Sequence, residues 1–174
     1  MRAHRLISCI ALALALITSS GCGEQSLSRD DQKVADSLAA YAISQSDGVW
    51  NKKEAQCMAE AFVKSAGVDA LKEAGLVSES GRAVAAKVTM TRPIATRFAD
   101  SVLGCVDFAD LTARQIANLR PDIDTASFAA CVRKQVSAKE ARSRLIAQQM
   151  NDLKDATYLR TNAEMLKCAE QANP

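Results

Sequence analysis

The chain has 174 residues and a formal net charge of +2, with no block of like charges, which leaves no electrostatic footprint for nucleic acid. Only 4% of the residues are aromatic, and seven glycines and three prolines are too few for a collagenous or low-complexity chain. Such a composition predicts an all-α protein whose helices pack closely through alanine.

The chain begins Met1, Arg2, Ala3, His4, Arg5, a short cationic start. An almost wholly apolar run, Leu6 to Ile17, follows. It is well short of the roughly 20 residues that span a bilayer. A basic start, a short apolar run and then small residues read as an export signal. The small residues are Thr18, Ser19, Ser20 and Gly21, and Cys22 comes next. This stretch resembles the lipobox of bacterial lipoproteins, with Ser19 at the position where leucine is commonest. The resemblance implies cleavage before Cys22, acylation of that cysteine with chains such as palmitate, and residence on the extracytoplasmic face of the cell membrane. The alternative is ordinary secretion, with Ser19 and Gly21 as the small residues of a general signal-peptidase site. The expected plan is 1–21 signal peptide, 22–27 lipid anchor and tether, and 28–174 a single helical domain.

Cysteine parity agrees with the lipobox. Of the six cysteines, Cys9 leaves with the signal, and lipid on Cys22 leaves Cys57, Cys105, Cys131 and Cys168. An odd exported thiol would be a liability. Loss of Arg2 and Arg5 also leaves 20 basic residues facing 20 acidic ones. Attachment to a membrane therefore has to come from acyl chains, at roughly 0.8 kcal/mol per buried methylene, and not from a basic surface.

Beyond the tether the chain reads as a compact bundle of about 5–7 helices. Ser28 with Asp31 is a capping-box-like start, after which Val34, Leu38, Tyr41 and Ala42 recur at helical spacing. Asp47-Gly48 ends that helix. Asn51 with Glu54 starts the next, with Cys57, Met58, Ala61 and Phe62 on one face, and Gly67 interrupts it. A short segment, Val68 to Ala74, stops at Gly75. Val77 to Thr91 is ambiguous, with a turn suggested at Ser78, Ser80 and Gly81. Pro93 suits a first helical turn, and Ile94, Phe98, Val102, Cys105 and Phe108 form an apolar stripe after it. Asp110 or Thr112 starts a short helix before Pro121. Asp124 or Thr125 caps the helix of Phe128, Cys131 and Val132. Ser137 with Glu140 opens another helix, and a last one runs from about Asp155 to Ala169.

A weak internal duplication runs through these elements. Cys57 precedes Leu71 by the same 14 residues that separate Cys131 from Leu145. Arg97 and Arg160 each lie eight residues before a cysteine, in RFADSVLGC and RTNAEMLKC. Possible halves are 50–110 and 124–170. Four cysteines allow three pairings. Closure within each half would join Cys57 to Cys105 and Cys131 to Cys168. The mature region is also similar in style to small Cys-paired helical domains of exported actinobacterial proteins, through CMAEAFVKSAGVDALKEAGL. That likeness implies no residue-level function.

The only histidine, His4, lies in the signal, so the mature chain has no imidazole for a nucleophilic triad, a histidine zinc site or most haem ligation. No CxxC pair and no Gly-rich phosphate loop occurs. The carboxylate pairs Asp107/Asp110 and Asp122/Asp124 sit where caps are expected. Trp50 reads as a staple at a helix start, or as a surface anchor for a partner. No catalytic residue, metal or cofactor is expected. The expected function is a membrane-anchored, non-enzymatic module that binds an envelope protein or component; the alternative is a carrier or sensor of a small apolar ligand or lipid held between helices.

Overall fold

The computed structural model describes residues 26–85 and 88–173. The signal 1–21, Cys22 and the first part of the tether lie outside the described residues. Eight helices follow in order: α1 (Arg29–Ser44), α2 (Lys52–Ala66), α3 (Val68–Glu73), α4 (Arg92–Cys105), α5 (Phe108–Leu119), α6 (Thr125–Gln135), α7 (Ala138–Gln149) and α8 (Ala156–Gln171). No strand accompanies them among the described residues, so the protein is an all-α bundle. The count exceeds five to seven because the brief α3 and α5 both stand as separate helices.

Local chemistry sets most helix starts. Ser28, Asn51, Asp107, Asp124, Ser137 and Asp155 each accept a backbone N–H of the first turn. Ser137 and Glu140 form a complete capping box. Gly67, at φ 80°, turns the chain sharply from α2 into α3 in a conformation that side chains resist. One boundary departs from the apolar pattern. Phe108 continues the stripe of Ile94, Phe98, Val102 and Cys105, yet α4 stops at Cys105 and Phe108 opens α5. Val106 is extended, and the Asp107 carboxylate captures the Asp110 N–H at 3.0 Å. Asp107 is therefore the cap, in place of Asp110 or Thr112. The Thr112 hydroxyl instead donates back to the Phe108 and Ala109 carbonyls. In the ambiguous segment, Ser78 to Gly81 is a tight turn closed by the Ser78 N–H on the Arg82 carbonyl.

Two disulfides cross-link the bundle, Cys57–Cys105 and Cys131–Cys168, with Cα separations of 5.7 and 5.6 Å. Each joins the second helix of a half to its last. The repeat is wider than the cysteine-bearing segments. In both halves a first helix (α1, α5) packs on a second (α2, α6), and that second helix packs on the fourth (α4, α8). A register of 74 residues relates the first half to the second from Val34 as far as Leu71, beyond which the second half is shorter and α8 follows α4 by 63. It pairs the buried residues Val34 with Phe108, Ala35 with Ala109, Ala39 with Ala113, Val49 with Ile123, Ala55 with Ala129, and Leu71 with Leu145. Asp36 and Asp110 also correspond. Asp36 accepts from Gln56 of α2, and Asp110 meets Arg133 of α6, so the same position ties first helix to second in each half.

One hydrophobic core runs through both halves. They meet where α4 packs on α7, and Arg142 forks onto both oxygens of Asp100 there. Arg114 of α5 reaches across to the Val49 carbonyl and the Glu54 carboxylate, both at 2.7 Å. The alanines buried on α1, α2 and α4 are what let these backbones approach closely.

Candidate functional site

A cavity of about 510 Å³, inside the range of small-molecule pockets, opens mainly against the first half, with Gln115 of α5 and Gln149 of α7 from the second. Its long wall is the face of α1 that carries Leu38, Tyr41 and Ala42. Met58 and Phe62 of α2 and Phe98 of α4 form the floor. Phe62 and Phe98 meet edge to face at 5.4 Å, which fixes the floor's shape. Val84, Val88 and Met90, from the connection between α3 and α4, close one side. Helical periodicity builds this wall, since residues three and four apart share a face. The cavity arises because the α3–α4 connection is irregular. No helix fills the space that it covers.

Polar groups in the lining are few. Gln45, Ser46, Gln115 and Gln149 line it, and among the described residues Asp47 is the one charged side chain that does. Trp50 lies at the edge, half-buried, and packs against the core as well as lining the cavity. It is thus a packed residue with one face on the groove. The arrangement can hold an uncharged or weakly polar body by burial of apolar surface. It offers no nucleophile with an adjacent base.

The other sequence-marked residues have structural roles. Asp107 caps α5, and with Asp110 it holds Arg133. Asp122 pairs with Arg120 at 3.3 Å, and Asp124 caps α6. Hydrogen bonds from the Ser127 hydroxyl and from the backbone N–H groups of Ser127 and Ala126 hold the Asp124 carboxyl below its ordinary value. Neither pair approaches the groove. No cluster of three potential metal ligands occurs among the described residues. The four cysteines are all oxidised.

Tyr41, Met58, Phe62 and Phe98 were legible as apolar stripes, but a stripe that packs and one that lines a cavity look alike in sequence. Arg144 of α7 is the residue that sequence reading passed over. It sits half-buried on the same face as the buried Ala141, three residues before it. A charge in that register was the available signal. No helix among the described residues is long and apolar enough to cross a membrane. Comparison with family models, with curated proteins and with solved structures finds no match for the chain.

Proposed function

We propose that this protein is an extracytoplasmic lipoprotein, cleaved before Cys22 and held on the cell membrane by acyl chains on that cysteine. Its helical part is a non-enzymatic binding module, and its ligand is a small apolar molecule or lipid. The groove of about 510 Å³ between α1, α2 and α4 carries the choice of ligand. Its lining is mostly aliphatic and aromatic with a few polar side chains, a pattern that favours burial of apolar surface over hydrogen-bonded recognition. A short polar tether, Gly23-Glu24-Gln25-Ser26, keeps such a groove close to the bilayer, where apolar ligands concentrate.

Two measurements test this. Native mass spectrometry of the full chain released from detergent should carry an added mass from an uncharged apolar ligand. Ala42→Phe, which fills the groove from the last turn of α1, should abolish it. A ligand-free protein with unchanged behaviour on Ala42→Phe would argue against the carrier reading. For the anchor, Cys22→Ala should move the protein out of the detergent phase on partitioning, and continued partitioning would refute lipidation.

A further inference from the structure

The groove on α1 has a counterpart. In the 74-residue register Leu38, Tyr41, Ala42 and Gln45 of α1 correspond to Thr112, Gln115, Ile116 and Leu119 of α5. The first four line the groove of the first half. The second four line a cavity of about 340 Å³ in the second half, completed by Phe128 of α6 and by Met165 and Leu166 of α8. Both cavities form on the same face of the first helix of their half. Leu119 and Leu166 stand on the lip, 80% and 65% exposed, and carry the apolar wall outward. One exposed leucine is ordinary, whereas two at the mouth of one cavity extend a binding surface.

Charge distinguishes the two. Arg144 lines the second cavity and stands at the position that Ala70 occupies in the first half. Its guanidinium joins no ion pair among the described residues. Nε donates to Asn162 Oδ1 at 3.0 Å and Nη1 to Gln148 Oε1 at 3.1 Å, both neutral acceptors. The rings of Phe108 and Tyr158 lie 5.7 and 5.5 Å from its carbon, close enough to hold the cation by their faces. Nη2 donates to neither Asn162 nor Gln148. Since no sealed side-chain nitrogen or oxygen lacks a partner among the described residues, Nη2 stays open. Burial pulls this arginine below its ordinary pKa, but a guanidinium starts so high that it remains charged. By contrast Arg114, Arg120 and Arg142 each meet a carboxylate. A half-buried cation served only by neutral groups leaves a strong demand for a counter-charge. A planar fork at one side of an apolar cavity suits a carboxylate borne on an apolar chain.

We propose that the second cavity binds a medium-chain carboxylate, with the headgroup on Arg144 and the chain along Ile116, Phe128 and Met165 toward the lip at Leu119 and Leu166. The two grooves thus differ in charge: among the described lining residues the first carries the carboxylate of Asp47, and the second carries the cation of Arg144 and takes an anion. This site stands independently of whether the first groove is occupied.

The test uses the full chain in lipid nanodiscs, titrated with dodecanoate carrying ¹³C at the carboxyl carbon. Carboxyl resonances of bound and membrane-dissolved ligand separate, so partitioning into lipid does not obscure binding. A distinct bound resonance is expected for the unaltered protein. Arg144→Gln should weaken it by about tenfold or more, the loss of one charge-assisted hydrogen-bonded pair. Leu119→Glu should also weaken it, by placing a carboxylate at the lip. That position is so exposed that the fold is not at risk. Ala42→Phe should leave the resonance unchanged, which separates this site from the first groove. Three results would overturn the proposal: no bound resonance in the unaltered protein, undiminished affinity in both Arg144→Gln and Leu119→Glu, or equal binding of dodecanol with equal sensitivity to Arg144→Gln.

Discussion

Removing one disulfide at a time tests how the halves are held. The loops closed by Cys57–Cys105 and Cys131–Cys168 span 48 and 37 residues. The entropy lost by the unfolded chain grows only with the logarithm of loop length, so each bond contributes about 4 kcal/mol, with a difference of only a few tenths between them. Surroundings therefore decide the ranking. Cys57 is exposed, whereas Cys168 is fully buried. Cys57→Ala with Cys105→Ala should cost about 4 kcal/mol. Cys131→Ala with Cys168→Ala should cost about 1 kcal/mol more, for the small cavity left at position 168. With a urea slope of about 2 kcal/mol per molar, the midpoints should fall by about 2 and 2.5 M. The slope itself should rise, because an uncross-linked unfolded chain exposes more surface. In a domain near the middle of the ordinary range of about 5–15 kcal/mol, either loss is survived and both together bring it close to unfolding. Equilibrium urea unfolding followed by far-UV circular dichroism measures all four quantities. The reasoning is refuted if both pairs shift the midpoint by less than about 0.5 M, or if the Cys57–Cys105 pair proves the costlier.

Gly81 has φ 77°, and an added Cβ there would lie 3.0 Å from Val34 Cγ2, so Gly81→Ala should destabilise by more than about 1 kcal/mol. Gly104, within α4 and with open space around it, should gain roughly 0.5–1 kcal/mol on the same change. The two together, measured by thermal unfolding, separate backbone conformation from loss of glycine as such. Ser137→Ala removes the capping box of α7 and should cost about 1 kcal/mol, read as a lower urea midpoint. Hydrogen bonds, first from Gln32 to Asp36, from Arg142 to Asp100, from Ser127 to Asp124 and from Ser137 to Glu140, hold these carboxyls below their ordinary values. A carboxyl depressed in the folded state binds fewer protons there than in the unfolded chain. Its contribution is therefore complete above the unfolded value of about 4 and is lost as pH falls through the folded one. Urea midpoints should stay level from neutrality to about pH 5 and fall below about pH 4, and Asp124→Asn, which keeps the cap without the charge, should reduce that fall.

Much of the local structure was legible in the residues themselves. Ser28, Asn51, Asp124, Ser137 and Asp155 announce helix starts because the side chain that satisfies an orphan N–H lies two or three residues from it. That geometry needs nothing from the rest of the molecule. Four cysteines in two similar settings likewise made closure within halves a natural expectation, and the structure joins Cys57 to Cys105 and Cys131 to Cys168. The α4–α5 break was misplaced because an apolar stripe continues through Phe108 without regard to the chain's turn at Val106, where the Asp107 cap prevailed over periodicity.

Tertiary structure alone decided the rest. Extension of the repeat to α1 and α5 depends on burial, since Val34 and Phe108 share a role and not an identity. The two grooves depend on which apolar faces are left uncovered, which no one-dimensional pattern records: Tyr41 and Phe98 line a cavity, while Val102, in the same apolar stripe as Phe98, is fully buried. Arg144 is the clearest case. In sequence it is one more basic residue in a polar helix, and only the packing of α5 and α8 around it leaves a cation half-buried beside an apolar cavity. Local sequence determines caps and periods because their partners are a few residues away. Cavities and uncompensated charges belong to the assembled helices because their partners come from elements far apart in the chain.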